Sequence, residues 1–179
     1  MTEHKRRLDQ VKDADFLADL EEMPLEQLRA KRTLCDGLDT EYSYYRRMVH
    51  GRMDMLAFEI RRRTGEEKRT LMEALPEILA GPGGGSDPSS IRSMQIELPD
   101  LPNIGRRDID TILDADFLSH LSDLDDDEIT RIQAQLTDAE IEVSENRRIV
   151  FESFEKLQKE LTRRYREGLA SADELLGSV

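Results

Sequence analysis

The sequence has no tryptophan, aromatic residues make up only 5% of it, and a single cysteine, Cys35, stands among 179 residues. A thick core built on large aromatic anchors is therefore excluded, and helices packed along a narrow apolar stripe suit this composition better. One cysteine forbids an internal disulfide and fits a reducing compartment; at an apolar helical position it belongs to a core. Long hydrophobic runs are missing as well. None approaches a membrane span, and "MTEHKRRLDQVKDADF" lacks the apolar centre of a signal peptide, so a cytoplasmic location is expected. His4, His50 and His120 are too scattered for a dedicated metal site, and no metal is expected. No Ser-His-Asp arrangement is apparent, and "GPGGGS" (81–86) lacks the lysine of a phosphate-cradling loop. Enzymatic activity is accordingly not expected.

What the chain has in quantity is charge, 36% of its residues, with a net value of −13. Residues 1–65 balance thirteen basic against thirteen acidic groups, so the whole excess falls on the remainder of the chain. Such acidity disfavours nonspecific nucleic-acid binding and suits either a basic protein partner or simple solubility.

An internal repeat organises this charge. Shifting the sequence by 101 positions lays "DADFLADLEEMPLEQL" (13–28) on "DADFLSHLSDLDDDEI" (114–129), and without a gap brings Ser43 onto Ser144 and Arg46 and Arg47 onto Arg147 and Arg148. The same shift pairs Leu28 with Ile129, Tyr42 with Val143, Val49 with Val150, Met53 with Phe154, Leu56 with Leu157 and Ile60 with Leu161. One offset over such a span points to duplication. Each copy reads as a short helix, a turn and a long helix. Asp13 is placed to cap an element carrying Phe16, Leu17 and Leu20, and Pro24 suits the first turn of a helix reaching about Arg63. In the second copy the acidic run Asp125, Asp126, Asp127, Glu128 sits where a helix start favours negative charge.

Apolar residues at 38, 42, 45, 49, 53, 56 and 60, and at 132, 136, 139, 143, 150, 154, 157 and 161, step by threes and fours, the spacing of a coiled-coil seam. The expected fold is thus all-α, an antiparallel coiled-coil hairpin built from the repeat. Repeat 1 spans 13–65 and repeat 2 spans 113–168. Between them a connector, 66–112, holds a possible short helix with Leu71, Leu75 and Leu79 and a flexible linker, "GPGGGSDPSS" (81–90); residues 169–179 form a tail. Strand direction follows from charge. Residues 13–45 hold three basic and nine acidic groups, and 46–63 hold six and two; residues 114–146 hold one and eleven, and 147–167 seven and four. Both copies run from acidic to basic, so only antiparallel helices set opposite charges side by side. Each surface pair contributes roughly a few tenths of a kcal/mol, but many favour the same choice.

Asp39, Ser43, Arg46, His50 and Asp54 fall within an arc of about 80° on a helix, one residue beyond the apolar series and so on the flank of the seam. Their counterparts are Glu140, Ser144, Arg147, Phe151 and Glu155. In an antiparallel pair the two ridges can line one groove with approximate two-fold symmetry. Arginine can grip phosphate or donate twice to the O6 and N7 edge of guanine, a carboxylate can accept from guanine N1 and N2, and serine adds a short donor. Left without a ligand, such a face is an ordinary solvated surface.

The two ridges resemble the repeated motif E-x3-S-x2-R-x3-Q-x3-D of the RsiG family, actinobacterial anti-sigma factors. The stretches "SYYRRMVHGRMDML" (43–56) and "LEEMPLEQLRAKR" (20–32) strengthen the likeness, which spans nearly all of 13–65 and 114–167. The resemblance implies binding of cyclic di-GMP, as a pair of partly intercalated molecules, on an antiparallel coiled coil. It also implies that the loaded protein holds a WhiG-type sporulation sigma factor inactive, without touching DNA or membrane. Ser43, Arg46, Ser144 and Arg147 match the motif in both copies. Asp39 replaces its Glu and His50 its Gln; Phe151 replaces the second Gln and Glu155 the second Asp. His50 can donate or accept, whereas Phe151 can only stack or pack, so the copies are expected to be unequal. The alternative is an adaptor coiled coil that binds no nucleotide.

Overall fold

The computed structural model describes residues 7–80 and 120–168, and these divide between two compact units, one drawn from Met1–Ser43 with Ser144–Val179 and the other from Tyr44–Val143. The described residues are helical, with turns between helices and no strand. Helix α1 spans Arg7–Lys12, a 3-10 turn spans Ala14–Leu17, α2 spans Leu25–Arg63, α3 spans Leu71–Ala80 and α4 spans Asp126–Arg166. The linker "GPGGGSDPSS", the "DADFL" of the second copy (114–118) and the tail lie outside the described residues.

In the first unit, residues 25–43 of α2 pack on residues 144–166 of α4. The direction is read from cross-helix hydrogen bonds: Arg29 donates to Tyr165 Oη (2.9 Å) and Arg32 to Gln158 Oε1 (2.6 Å), so partner numbers fall as α2 advances, and the helices run antiparallel. Leu28, Cys35 and Leu38 of α2 meet Val150, Leu157 and Leu161 of α4 in one core, closed at its side by Val11, Phe16 and Met23. The expected cap is present: the Asp13 carboxylate accepts from the amide of Asp15 (3.1 Å) and starts the 3-10 turn. Lys31 then holds that turn on α2, its Nζ donating to the Phe16 carbonyl (2.6 Å) and standing 5.0 Å from the ring centroid. Arg7 of α1 crosses Gly37, where a Cβ would lie 3.0 Å from its Nη2, and reaches the buried carboxylate of Glu41 at 3.5 Å. A side chain at 37 would crowd that crossing. The apolar series on α4 skips from 143 to 150, and Asn146, buried, stands in the gap.

In the second unit, residues 44–63 of α2 pack on residues 126–143 of α4 through Val49, Leu56, Ile129, Leu136 and Ala139, with Leu71, Leu75 and Ile78 of α3 against them. Arg46 lies against Glu140 and Arg63 against Asp126, so the direction here is also antiparallel. Pro24 falls just before α2, its carbonyl accepting from Leu28 N, one residue short of the helical position expected for it. At the other end Gly65, with φ of 80°, lets the Glu66 amide return to the Arg61 carbonyl (2.9 Å) and closes α2. The acidic run does start α4. Asp125 N donates to Glu128 Oε2 (2.9 Å) and Glu128 N to Asp125 Oδ1 (2.7 Å), a reciprocal cap that satisfies two donors otherwise left open.

Candidate functional site

Each unit gathers part of the polar ridge from both long helices. In the first unit Arg147, from α4, sends its Nε to Ser43 Oγ on α2 at 2.9 Å, and the same nitrogen lies 3.2 Å from Asp39 Oδ1. Nε carries one hydrogen, and it is directed to the serine. Asp39 Oδ1 is therefore held beside a positive charge yet is buried with no hydrogen bond. A buried acceptor left without a donor costs about 1–3 kcal/mol, so this oxygen gains from any donor delivered to it. The two terminal nitrogens of Arg147 make no hydrogen bond to a described residue. Its neighbour Arg148 is committed along its own helix to Glu145 and Glu152, which explains why only one of the two consecutive arginines turns toward α2.

In the second unit the relation is inverted. Glu140 comes from α4, and its Oε1 lies 3.2 Å from His50 Nε2 and 3.5 Å from Arg46 Nε, both on α2. One carboxylate oxygen thus faces two donor-bearing side chains. Ser144 is half-buried. Asp54, Phe151 and Glu155 are exposed, and no hydrogen bond or ion pair ties them to the residues just named.

Sequence reasoning missed a second repeated device at the far ends of the long helices. In the first unit Arg164 Nη1 donates to the Met23 carbonyl (2.7 Å) and Nη2 to those of Leu20 (2.9 Å) and Glu21 (3.1 Å), while its Nε meets Glu160 at 2.7 Å. In the second unit Arg63 Nη2 donates to the carbonyls of Ser122 (3.3 Å) and Leu121 (3.5 Å), and its Nε meets Glu59 at 2.9 Å. Arg63 and Arg164 stand 101 apart, as do Glu59 and Glu160, and Arg62 and Arg163, which pair with those two glutamates. The offset that aligned the serines would have revealed them. Both glutamates are held below the ordinary carboxylate range, chiefly by the adjoining arginines, Glu160 at about 2. Cys35 is different in kind: burial alone pushes its thiol up to about 11, which makes it a core residue rather than a nucleophile.

Among the described residues no cluster of His, Cys, Asp or Glu could hold a metal ion, and no helix is long and apolar enough to cross a membrane. No curated protein matches the chain. Residues 14–79, which cover the first ridge and most of α3, match the family described as RsiG-like, the family that the repeated motif resembles.

Proposed function

We propose that the chain is an anti-sigma factor of the RsiG kind, which binds cyclic di-GMP through its two polar ridges and, when loaded, sequesters a WhiG-type sigma factor. One observation carries the nucleotide reading: a buried carboxylate oxygen of Asp39 without a hydrogen bond, beside an arginine whose terminal nitrogens make no hydrogen bond to a described residue. Guanine supplies what each lacks. Its N1 and N2 donate to a carboxylate, and its O6 and N7, or a phosphate, accept from a guanidinium. Glu140 and Arg46 offer the same pair of functions in the second unit. Binding suits these side chains better than catalysis, because the Ser43 hydroxyl accepts from a guanidinium, which cannot act as its base.

The regulatory step is argued from charge. Arginines gathered on facing helices repel one another, and an anionic ligand relieves that repulsion and favours one helix geometry. The acidic residues between Asp125 and Glu145 then suit a basic protein surface of the kind a sigma factor turns toward DNA. The protein would act in the cytoplasm without metal.

The competing reading, an adaptor coiled coil, draws on the fact that Arg147 and Arg46 already have carboxylate neighbours within the protein. Calorimetry separates the two. The purified chain should release heat with cyclic di-GMP and lose it when Arg46 and Arg147 are both replaced by Ala, while an adaptor gives no heat and keeps its partner in both forms. Affinity for the sigma factor that stays the same at saturating nucleotide would remove the switch.

A further inference from the structure

The two units meet their carboxylates differently. Asp39 Oδ1 has Arg147 Nε at 3.2 Å but no hydrogen bond, whereas Glu140 Oε1 has His50 Nε2 at 3.2 Å in addition to Arg46 Nε at 3.5 Å. The difference traces to one position of the repeat: His50 on α2 reaches across to Glu140, and its counterpart on α4, Phe151, has no polar atom with which to reach Asp39.

Resting on the nucleotide reading above, we propose that His50 sets the order in which the sites of the two units load. It occupies the Glu140 carboxylate as an internal competitor, so that a ligand is taken first at Asp39, Ser43 and Arg147 and only later at Glu140 and Arg46. A guanine edge presents two parallel donors, N1–H and N2–H, and needs both oxygens of a carboxylate. At Asp39 the buried Oδ1 accepts the incoming donor without losing an existing one, and Ser43 already fixes the arginine, so little ordering remains to be done. At Glu140 the same edge must displace His50, and Arg46 must leave the carboxylate before it can turn to phosphate. His50 is thereby a specificity residue for the site of the second unit and neutral for that of the first.

The test is a calorimetric titration of the full chain with cyclic di-GMP, comparing the wild type with His50→Ala, His50→Gln, Arg46→Ala and Arg147→Ala. The side chain of His50 is 45% exposed, so its replacement leaves the core untouched. Two resolved steps are expected in the wild type. Arg147→Ala should abolish the tighter step and Arg46→Ala only the weaker. His50→Ala should tighten the weaker step roughly tenfold, the size of one charge-assisted hydrogen bond released, and leave the tighter one in place. His50→Gln, which keeps a donor on a side chain of different shape, should fall between. A tighter step that depends on Arg46, a single step in the wild type, or steps indifferent to His50 would overturn this ordering while the nucleotide reading stands. Silence from every form of the chain would overturn both.

Discussion

The first and second units are built from equivalent residues, yet they are not equally tight. Arg164 is buried and spans three backbone carbonyls at 2.7–3.1 Å, while Arg63, one quarter exposed, reaches two at 3.3 and 3.5 Å and spends a further nitrogen on the exposed Asp126. A duplicated motif therefore fixes which contact forms, and the surroundings fix what it contributes. In the first unit Asp19, in left-handed conformation (φ 49°), opens a backbone turn whose Leu20, Glu21 and Met23 carbonyls are presented together to one guanidinium.

The widest separation between the units should come from these arginines. Arg164→Ala leaves Glu160 buried without one of its two arginines and leaves three carbonyls without their donor, and should cost about 3 kcal/mol in chemical denaturation. Arg63→Ala should cost about 1 kcal/mol. Equal losses would erase the distinction.

Next in size is an acid effect. Glu160 titrates at about 2 in the folded chain against 4.5 ordinarily, because Arg163 and Arg164 hold it ionised. A depressed pKa contributes stability above the unfolded value, and that contribution is lost as pH falls through the folded one. Wild-type stability should decline between about pH 4.5 and 2, and Glu160→Gln should flatten that decline, measured as melting temperature against pH. Glu59→Gln should flatten it less, since its carboxylate meets the weaker of the two clamps.

Smaller still is the contrast between two mid-helix glycines. Gly51 has open space where a Cβ would go, so Gly51→Ala should stabilise the chain by about 1 kcal/mol through helix propensity. Gly37→Ala must push Arg7 aside and should gain less, as thermal melts of the pair would show. The least change is expected at Cys35. Its buried thiol should resist alkylation at pH 8 until denaturant is added, and prompt labelling of the native chain would contradict its place in the core.

Much of this was legible beforehand because helices translate spacing directly into faces. The steps of three and four named Leu38, Val49, Leu56, Leu136, Val150 and Leu157, all of them buried, and the acidic-to-basic gradient named the antiparallel direction. Members of the two ridges also come together across the helices: Asp39, Ser43 and Arg147 meet, as do Arg46, His50 and Glu140. What could not be read was how each carboxylate is satisfied. Whether Arg147 Nε bonds Ser43 or Asp39 depends on a single hydrogen's direction, and no spacing encodes that. Asn146 escaped because a polar residue breaks the apolar count even when its position stays in the seam. Asp54, Phe151 and Glu155 share the ridge by angle, yet all three are exposed.

The grip of each terminal arginine has one more corollary. Arg164 belongs to the second copy and holds a turn of the first; Arg63 belongs to the first and holds a turn of the second. Neither copy carries both halves of any such fastening, so a cut between residues 80 and 120 would yield two fragments that are incomplete apart and matched together. Co-expressing them should restore what each alone lacks.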